Sequence, residues 1–309
     1  MHNDQKRTMR SKTGVCTPRI IRTIALCALL AGTLAFPASL LPQANPPPVE
    51  ASIPYGENVE RGSFVHVNGI KLYFEVYGNG QTMLIIHGNG QSIASMKDQV
   101  KFFSDYYHVI AADSRGHGKS QMGAGRLTYE QMADDFNALL DQLNLKSVYV
   151  LGWSDGGIIG LLLAIKHPEK VSKLAIMGAN LEPSGAYHWA QESVAKNEKE
   201  IDEMIARGDR TKPWADHKQL LDLLGKQPNI PIDDLRLIDA PTLVMAGDKD
   251  IIRIEHTVQI FQNIKNSHLS IFPGATHWIP RDSPKLFNET VLGFFQKPFS
   301  RPDSKDRFK

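Results

Sequence analysis

From residue 61 onward, short unbroken apolar runs alternate with longer stretches whose apolar residues recur at helical spacing. The runs fall at Met83–His87, His108–Asp113, Val148–Trp153, Leu174–Met177, Thr242–Ala246 and Leu269–Phe272. Runs this short, without polar alternation, predict strands buried on both faces. Between them, Tyr129–Leu143 carries Met132, Phe136, Leu139, Leu140 and Leu143 as one helical stripe. Further helices are predicted at Ile158–Ile165, Ile254–Ile264 and Pro284–Phe295. Ahead of the first run, Phe64–Tyr77 contains two β-rich segments around Asn68-Gly69, a hairpin signal. The alternation predicts an α/β fold, a mostly parallel sheet flanked by helices, with an antiparallel hairpin at one edge. In such sheets, sites form in the loops at the carboxyl ends of the strands.

One block breaks the rhythm. Residues 181–238 contain no clear buried strand but two polar helical stretches, HWAQESVAKNEKEIDEMIARG and ADHKQLLDLLGK. They predict a small helical cap inserted into a core made of residues 61–180 and 239–297. Residues 298–309 are expected to be a disordered, solvated tail.

The first 44 residues differ from all this. Six basic side chains and one acid precede or flank an apolar run from Ile24 to Phe36, which Pro37 ends. A basic stretch, 13 apolar or small residues and a small-residue exit describe a secretory signal, with an uncleaved membrane anchor as the alternative. The protein is therefore expected to be exported. Residues 45–60 form a proline-rich linker, which places the start of the domain near Arg61.

Composition sharpens the picture in two ways. The formal charge of +2 hides +5 in residues 1–44, so the remainder carries −3, and a nucleic-acid partner is not expected. Both cysteines, Cys16 and Cys27, lie in the first 44 residues. The body can hold no disulfide, cysteine-ligated zinc or thiol nucleophile.

The candidate chemistry sits where strands end. Val148–Leu151 runs into Gly152-Trp153-Ser154-Asp155-Gly156-Gly157 and then into a helix, the strand–turn–helix setting of a Gly-x-Ser-x-Gly elbow. Ser154 is the candidate nucleophile, and the glycines two before and two after it relieve crowding at a strained turn. A serine hydroxyl needs a base, and the base an orienting acid. His277 alone among eleven histidines stands just beyond the last strand and before the last helix. Asp248 and Asp250 both lie in the loop after Thr242–Ala246, and the residues themselves do not choose between them. The oxyanion donors are expected to be the backbone N–H of Asp155 and that of Asn89, in the loop His87-Gly88-Asn89-Gly90. His87 is expected to be a packed loop residue and not a base. Of the cap aromatics, Trp189 is the candidate pocket residue, with Tyr187, His188 and Trp214 either joining it or packing the cap.

Together His87–Gly90, Asp113–Ser120, Gly152–Gly157, Gly247–Asp250 and Gly274–His277 resemble the α/β-hydrolase fold family over residues 61–297. The resemblance implies Asp250 as the acid, the aspartate three residues after the glycine. It also implies a structural role for Asp113–Ser120, so Arg115 and His117 receive no catalytic part. Serine at the elbow sets the chain apart from dehalogenases and epoxide hydrolases of similar layout, which use aspartate there. The run LGWSDGGIIGLLLAIKHPEKVSKLAIMGAN is similar to members that cleave α-amino-acid esters. There the aspartate beside the nucleophile binds the substrate's ammonium group, and its match is Asp155. As a helix first-turn acid, Asp155 is also accounted for without a ligand. The expected activity is serine hydrolysis of a small carboxylic ester through an acyl-enzyme intermediate, with no cofactor. Cleavage of amide, peptide or carbon–carbon bonds by the same triad stays open, as does a ligand receptor on the same fold.

Overall fold

The computed structural model describes residues 53–308; the expected export signal, with both cysteines, lies outside the described residues. Eight strands form one sheet: β1 (Gly62–Val67), β2 (Ile70–Tyr77), β3 (Thr82–Ile86), β4 (His108–Ala112), β5 (Val148–Trp153), β6 (Val171–Met177), β7 (Thr242–Lys249) and β8 (Ser267–Thr276). Their spatial order is β1-β2-β4-β3-β5-β6-β7-β8. The β1–β2 and β2–β4 pairs are antiparallel, and every pair from β4 through β3 to β8 is parallel. Asn68 and Gly69 turn the hairpin, both at positive φ.

Among the described residues, eight α-helices accompany the sheet: α1 (Lys97–Phe103), α2 (Tyr129–Gln142), α3 (Asp155–Lys166), α4 (His188–Ala206), α5 (Trp214–Lys226), α6 (Ile254–Asn263), α7 (Ile279–Asp282) and α8 (Pro284–Gln296). The side-chain period of two distributes each central strand over two cores. Leu84 and Ile86 of β3 join the cluster formed with α2, α3 and α6, while Met83 and Ile85 join the one formed with α1 and α8. Helix α2 opens on a Thr128 cap whose side chain accepts from the Gln131 N–H, and it turns Met132, Phe136, Leu139 and Leu140 inward. Helix α3 is buried almost throughout, apolar on all sides as a central helix must be. None of the helices among the described residues is long and apolar enough to cross a membrane.

The folded body begins before Arg61. The carboxylate of Glu75, fully buried on β2, accepts from the backbone N–H groups of Gly56 (2.8 Å) and Asn58 (2.9 Å) and from the hydroxyls of Tyr73 and Tyr77. Four donors satisfy one buried carboxylate, so part of the segment read as linker is fastened to the sheet. At the other end, Phe299 stacks on His268 (4.8 Å) and His268 Nε2 donates to Ser300 O (2.7 Å), so the segment expected to be a free tail is tied to β8 before it runs out exposed.

Helices α4 and α5 occupy the expected cap block, between β6 and β7. Each has only one buried residue, Ile201 and Leu223. The chain leaves and re-enters the core at almost one point, where the Ile230 N–H donates to Leu181 O at 2.9 Å.

Candidate active site

Ser154 stands between β5 and α3 with φ 56° and ψ −119°, outside the regions that L-residues normally populate. Its N–H donates to Met177 O at 2.7 Å, which locks the turn to the neighbouring strand. The flanking glycines are obligatory for lack of space. A Cβ on Gly152 would lie 2.1 Å from Gly156 O, and one on Gly156 would lie 2.1 Å from Ile86 O.

The structure brings Ser154, His277 and Asp250 together from three loops at the carboxyl ends of β5, β8 and β7. Ser154 Oγ is 2.9 Å from His277 Nε2, and His277 Nδ1 is 2.7 Å from Asp250 Oδ1. An ionised carboxylate only accepts, so the imidazole proton sits on Nδ1 and Nε2 is left to accept from the serine hydroxyl. Asp250 is itself held by the Ile252 N–H (3.1 Å, to Oδ1) and the Gly247 N–H (3.3 Å, to Oδ2). His277 and Asp250 are both buried. Asp248, the competing acid, instead accepts from the Gly274 N–H at 2.9 Å and shapes the turn before His277.

Two residues without a sequence signal complete the support of His277. The indole N–H of Trp153 donates to His277 O at 2.8 Å from a fully buried position. Gly178, at φ +62°, leaves room for the imidazole, since a Cβ there would lie 2.6 Å from His277 Nδ1. Trp153 occupies the variable position of the elbow, and only the tertiary fold reveals its partner.

The loop after β3 presses on Ser154: a Cβ on Gly88 would come 3.1 Å from Ser154 Cβ. The N–H of Asp155 is at the first helical position of α3, where an α-helix offers it no internal acceptor. The side chain of Asn89 has a task the sequence did not disclose. Its amide donates both to Asp155 Oδ2 and to Leu220 O of the cap helix α5, each at 2.9 Å. His87 donates from Nδ1 to Gly88 O (2.8 Å) and accepts the Ser114 N–H at Nε2 (3.0 Å). Burial lowers its pKa to about 3, so it is a neutral, fully engaged ring and no base.

Arg115 forms a bidentate pair with Asp135 of α2, both contacts at 2.7 Å, while Asp113 caps the N–H groups of Ile93 and Lys119. His117 turns back onto Arg115 O. None of these side chains bonds to Ser154, Asp250 or His277. No group of three or more His, Cys, Asp or Glu side chains among the described residues is arranged to hold a metal.

Ser154 and Asp155 open into a cavity of about 80 Å³, bordered by Tyr129, Gln191, Val194 and Ile252. Asp155 is buried there, and burial raises its pKa to about 6, against the pull of the Asn89 and Tyr129 side chains and of His277. Its Oδ1 makes no well-formed hydrogen bond, and neither does the neighbouring Tyr129 hydroxyl. A second cavity of about 340 Å³ lies between α4 and α5 and is bordered by Asn89. Trp189 is 59 % exposed on α4 and borders neither cavity, so the structure does not bring it to the site. Its helix carries Ala190, Gln191 and Val194 inward instead. Trp214 does line the larger cavity.

A fold of this topology with a serine elbow defines a class, and comparison with known proteins agrees. Residues 81–212 match the family model described as the alpha/beta hydrolase fold. The mouse serine hydrolase BPHL is 30% identical over 253 residues, covering 75% of this chain and 85% of that protein. The (E)-2-((N-methylformamido)methylene)succinate hydrolase of Acinetobacter baylyi is 23% identical, over 72% of this chain and 93% of its own. Among solved structures, Est816, described as an N-acyl homoserine lactone degrading enzyme, superposes with a TM-score of 0.63 at 26% identity, over 75% of this chain and all of its own. The chain belongs to the α/β-hydrolase fold family, whose hydrolases act on various substrates.

Proposed function

We propose that the protein is a serine hydrolase of small carboxylic esters, working through an acyl-enzyme. The observation that carries this reading is the unbroken relay Ser154 Oγ–His277 Nε2 and His277 Nδ1–Asp250 Oδ1, at 2.9 and 2.7 Å. His277 removes the hydroxyl proton as Ser154 attacks the carbonyl carbon, and Asp250 stabilises the imidazolium that forms. The N–H groups of Asn89 and Asp155 receive the negative charge on the carbonyl oxygen. His277 then gives its proton to the departing alcohol. Water, deprotonated by the same ring, releases the acid and restores Ser154. The basic-then-apolar opening of the chain supports an exported enzyme. The test is Ser154→Ala with p-nitrophenyl acetate: turnover is lost while the unfolding midpoint stays put. Unchanged Ser154→Ala hydrolysis refutes the assignment.

A narrower substrate class is favoured by Asp155. A buried carboxylate with one oxygen left without a well-formed hydrogen bond, in the cavity that holds the nucleophile, suits a cation close to the scissile carbonyl, as in an α-amino-acid ester. On this reading valyl esters outrun acyl esters of equal size, and Asp155→Asn removes that preference. Equal loss of both substrates in Asp155→Asn leaves the simple ester reading alone.

A further inference from the structure

The same two cap helices wall both cavities. Helix α4 lines the smaller one with Ala190, Gln191 and Val194 and the larger one with Asn197, Ile201 and Met204. Those positions follow one another at three- and four-residue steps, so a single face of α4 runs through both. Helix α5 does the same in reverse, with Leu224 in the smaller cavity and Leu221, Leu220 and His217 in the larger. A groove over α4 residues 190–204 spans about 21 Å at about 1.5 Å per residue. The Asn89 side chain borders the larger cavity and links it to the smaller one, donating to Asp155 Oδ2 of the one and to Leu220 O of the other.

The part of the groove open to Ser154 is small. About 80 Å³ is well below the roughly 300–1,000 Å³ of ordinary ligand pockets, whereas the far chamber alone reaches 340 Å³. Its walls include Ile201, Met204, Trp214, Leu220 and Leu221, an apolar lining with polar groups at few points. Direction follows from the chemistry of the site. The leaving oxygen must take a proton from His277, so the alcohol lies on the histidine side. Asn89, an expected oxyanion donor, borders the chamber, which therefore adjoins the carbonyl and its acyl group and not the leaving oxygen.

We propose that the chamber between α4 and α5 is a subsite for a medium-length, unbranched acyl chain, and that the Asn89 side chain is its gate. This rests on the serine-hydrolase reading above. Rotation of the Asn89 amide away from Leu220 O joins the two cavities, and the chain then lies along the shared face of α4 and α5. An acetyl group needs only the smaller cavity and leaves the gate shut.

The experiment uses the full chain, with p-nitrophenyl acetate and p-nitrophenyl octanoate as probes. Met204→Trp fills the chamber far from Ser154. It is expected to lower kcat/KM for the octanoate about tenfold while the acetate value stays within about twofold, the scale of losing a few methylene contacts. Met204→Phe, a milder filling, serves if the tryptophan variant does not fold, and unchanged acetate turnover certifies either. Asn89→Ala opens the gate and raises the octanoate-to-acetate ratio. If wild type cleaves acetate in a Ser154-dependent manner but rejects octanoate, or if filling the chamber leaves octanoate turnover unchanged, the subsite is overturned and the hydrolase reading stands. If wild type cleaves neither ester, both are overturned.

Discussion

Asp155 is held in a state that costs the fold, and the cost can be measured. Burial raises its pKa to about 6 from an ordinary 3.8. Between those values the folded protein binds the proton that the unfolded chain releases, so this group's contribution to stability falls as pH rises through the window. Above pH 6 the full penalty of about 3 kcal/mol is present, from about 1.36 kcal/mol per unit. At about pH 4.5 the same linkage leaves about 1 kcal/mol. An asparagine at this position keeps an oxygen to accept from Asn89. Its NH₂ stands where Asp155 Oδ1 makes no well-formed hydrogen bond, beside a Tyr129 hydroxyl that can accept from it. Asp155→Asn is therefore expected to be more stable than wild type at neutral pH. Its advantage should grow by about 2 kcal/mol between about pH 4.5 and pH 7.5. Urea unfolding of both proteins at the two pH values, extrapolated linearly, gives the four free energies. A stability difference that does not change with pH would falsify the claim that the carboxylate is charged at a cost. A buried charge kept at the expense of stability, next to Ser154, is the pattern of a functional group.

Two further outcomes follow from the same structure. Trp153→Phe removes the donor to His277 O and leaves that carbonyl buried and unsatisfied. Stability should drop by about 1–3 kcal/mol and kcat should fall more than KM changes, in steady-state kinetics on the acetyl ester. Arg115→Ala strands the buried Asp135 carboxylate and should cost about 3–5 kcal/mol by urea unfolding, while the surviving folded fraction keeps wild-type kcat.

The sequence carried the scaffold because the scaffold obeys simple periods. Buried runs such as Val148–Trp153 and stripes such as that of α2 begin where the patterning puts them. Helix α1 went unseen because seven residues after a 3-10 turn are too few to show a period. Ser154 and His277 were legible from their places between strand and helix. Asp250 is not told apart from Asp248 by local pattern, since the two share a loop and differ only in the direction of the side chain, that of Asp248 turning toward Gly274. The supports of the site were not legible at all. Trp153 to His277 spans 124 residues and Asn89 to Leu220 spans 131, and no local pattern encodes a bond between residues that far apart. Trp189 misled because an aromatic in a cap marks apolar surface without saying which way it faces. The N-terminal linker misled because its backbone is satisfied by a side chain on β2, not by any periodicity of its own.

The cap leaves the core at Leu181 and returns at Ile230, one backbone hydrogen bond apart. Between ends this close, an insertion adds only about 0.6 kcal/mol of loop-closure entropy with each doubling of its length. It is thus a cassette: a different helical pair can be spliced between these positions while β6, β7 and the loops carrying Ser154, Asp250 and His277 keep their register. Recombination at that junction would change what reaches Ser154 without rewriting the loops that hold it, which gives a single core scaffold a direct route to new substrates.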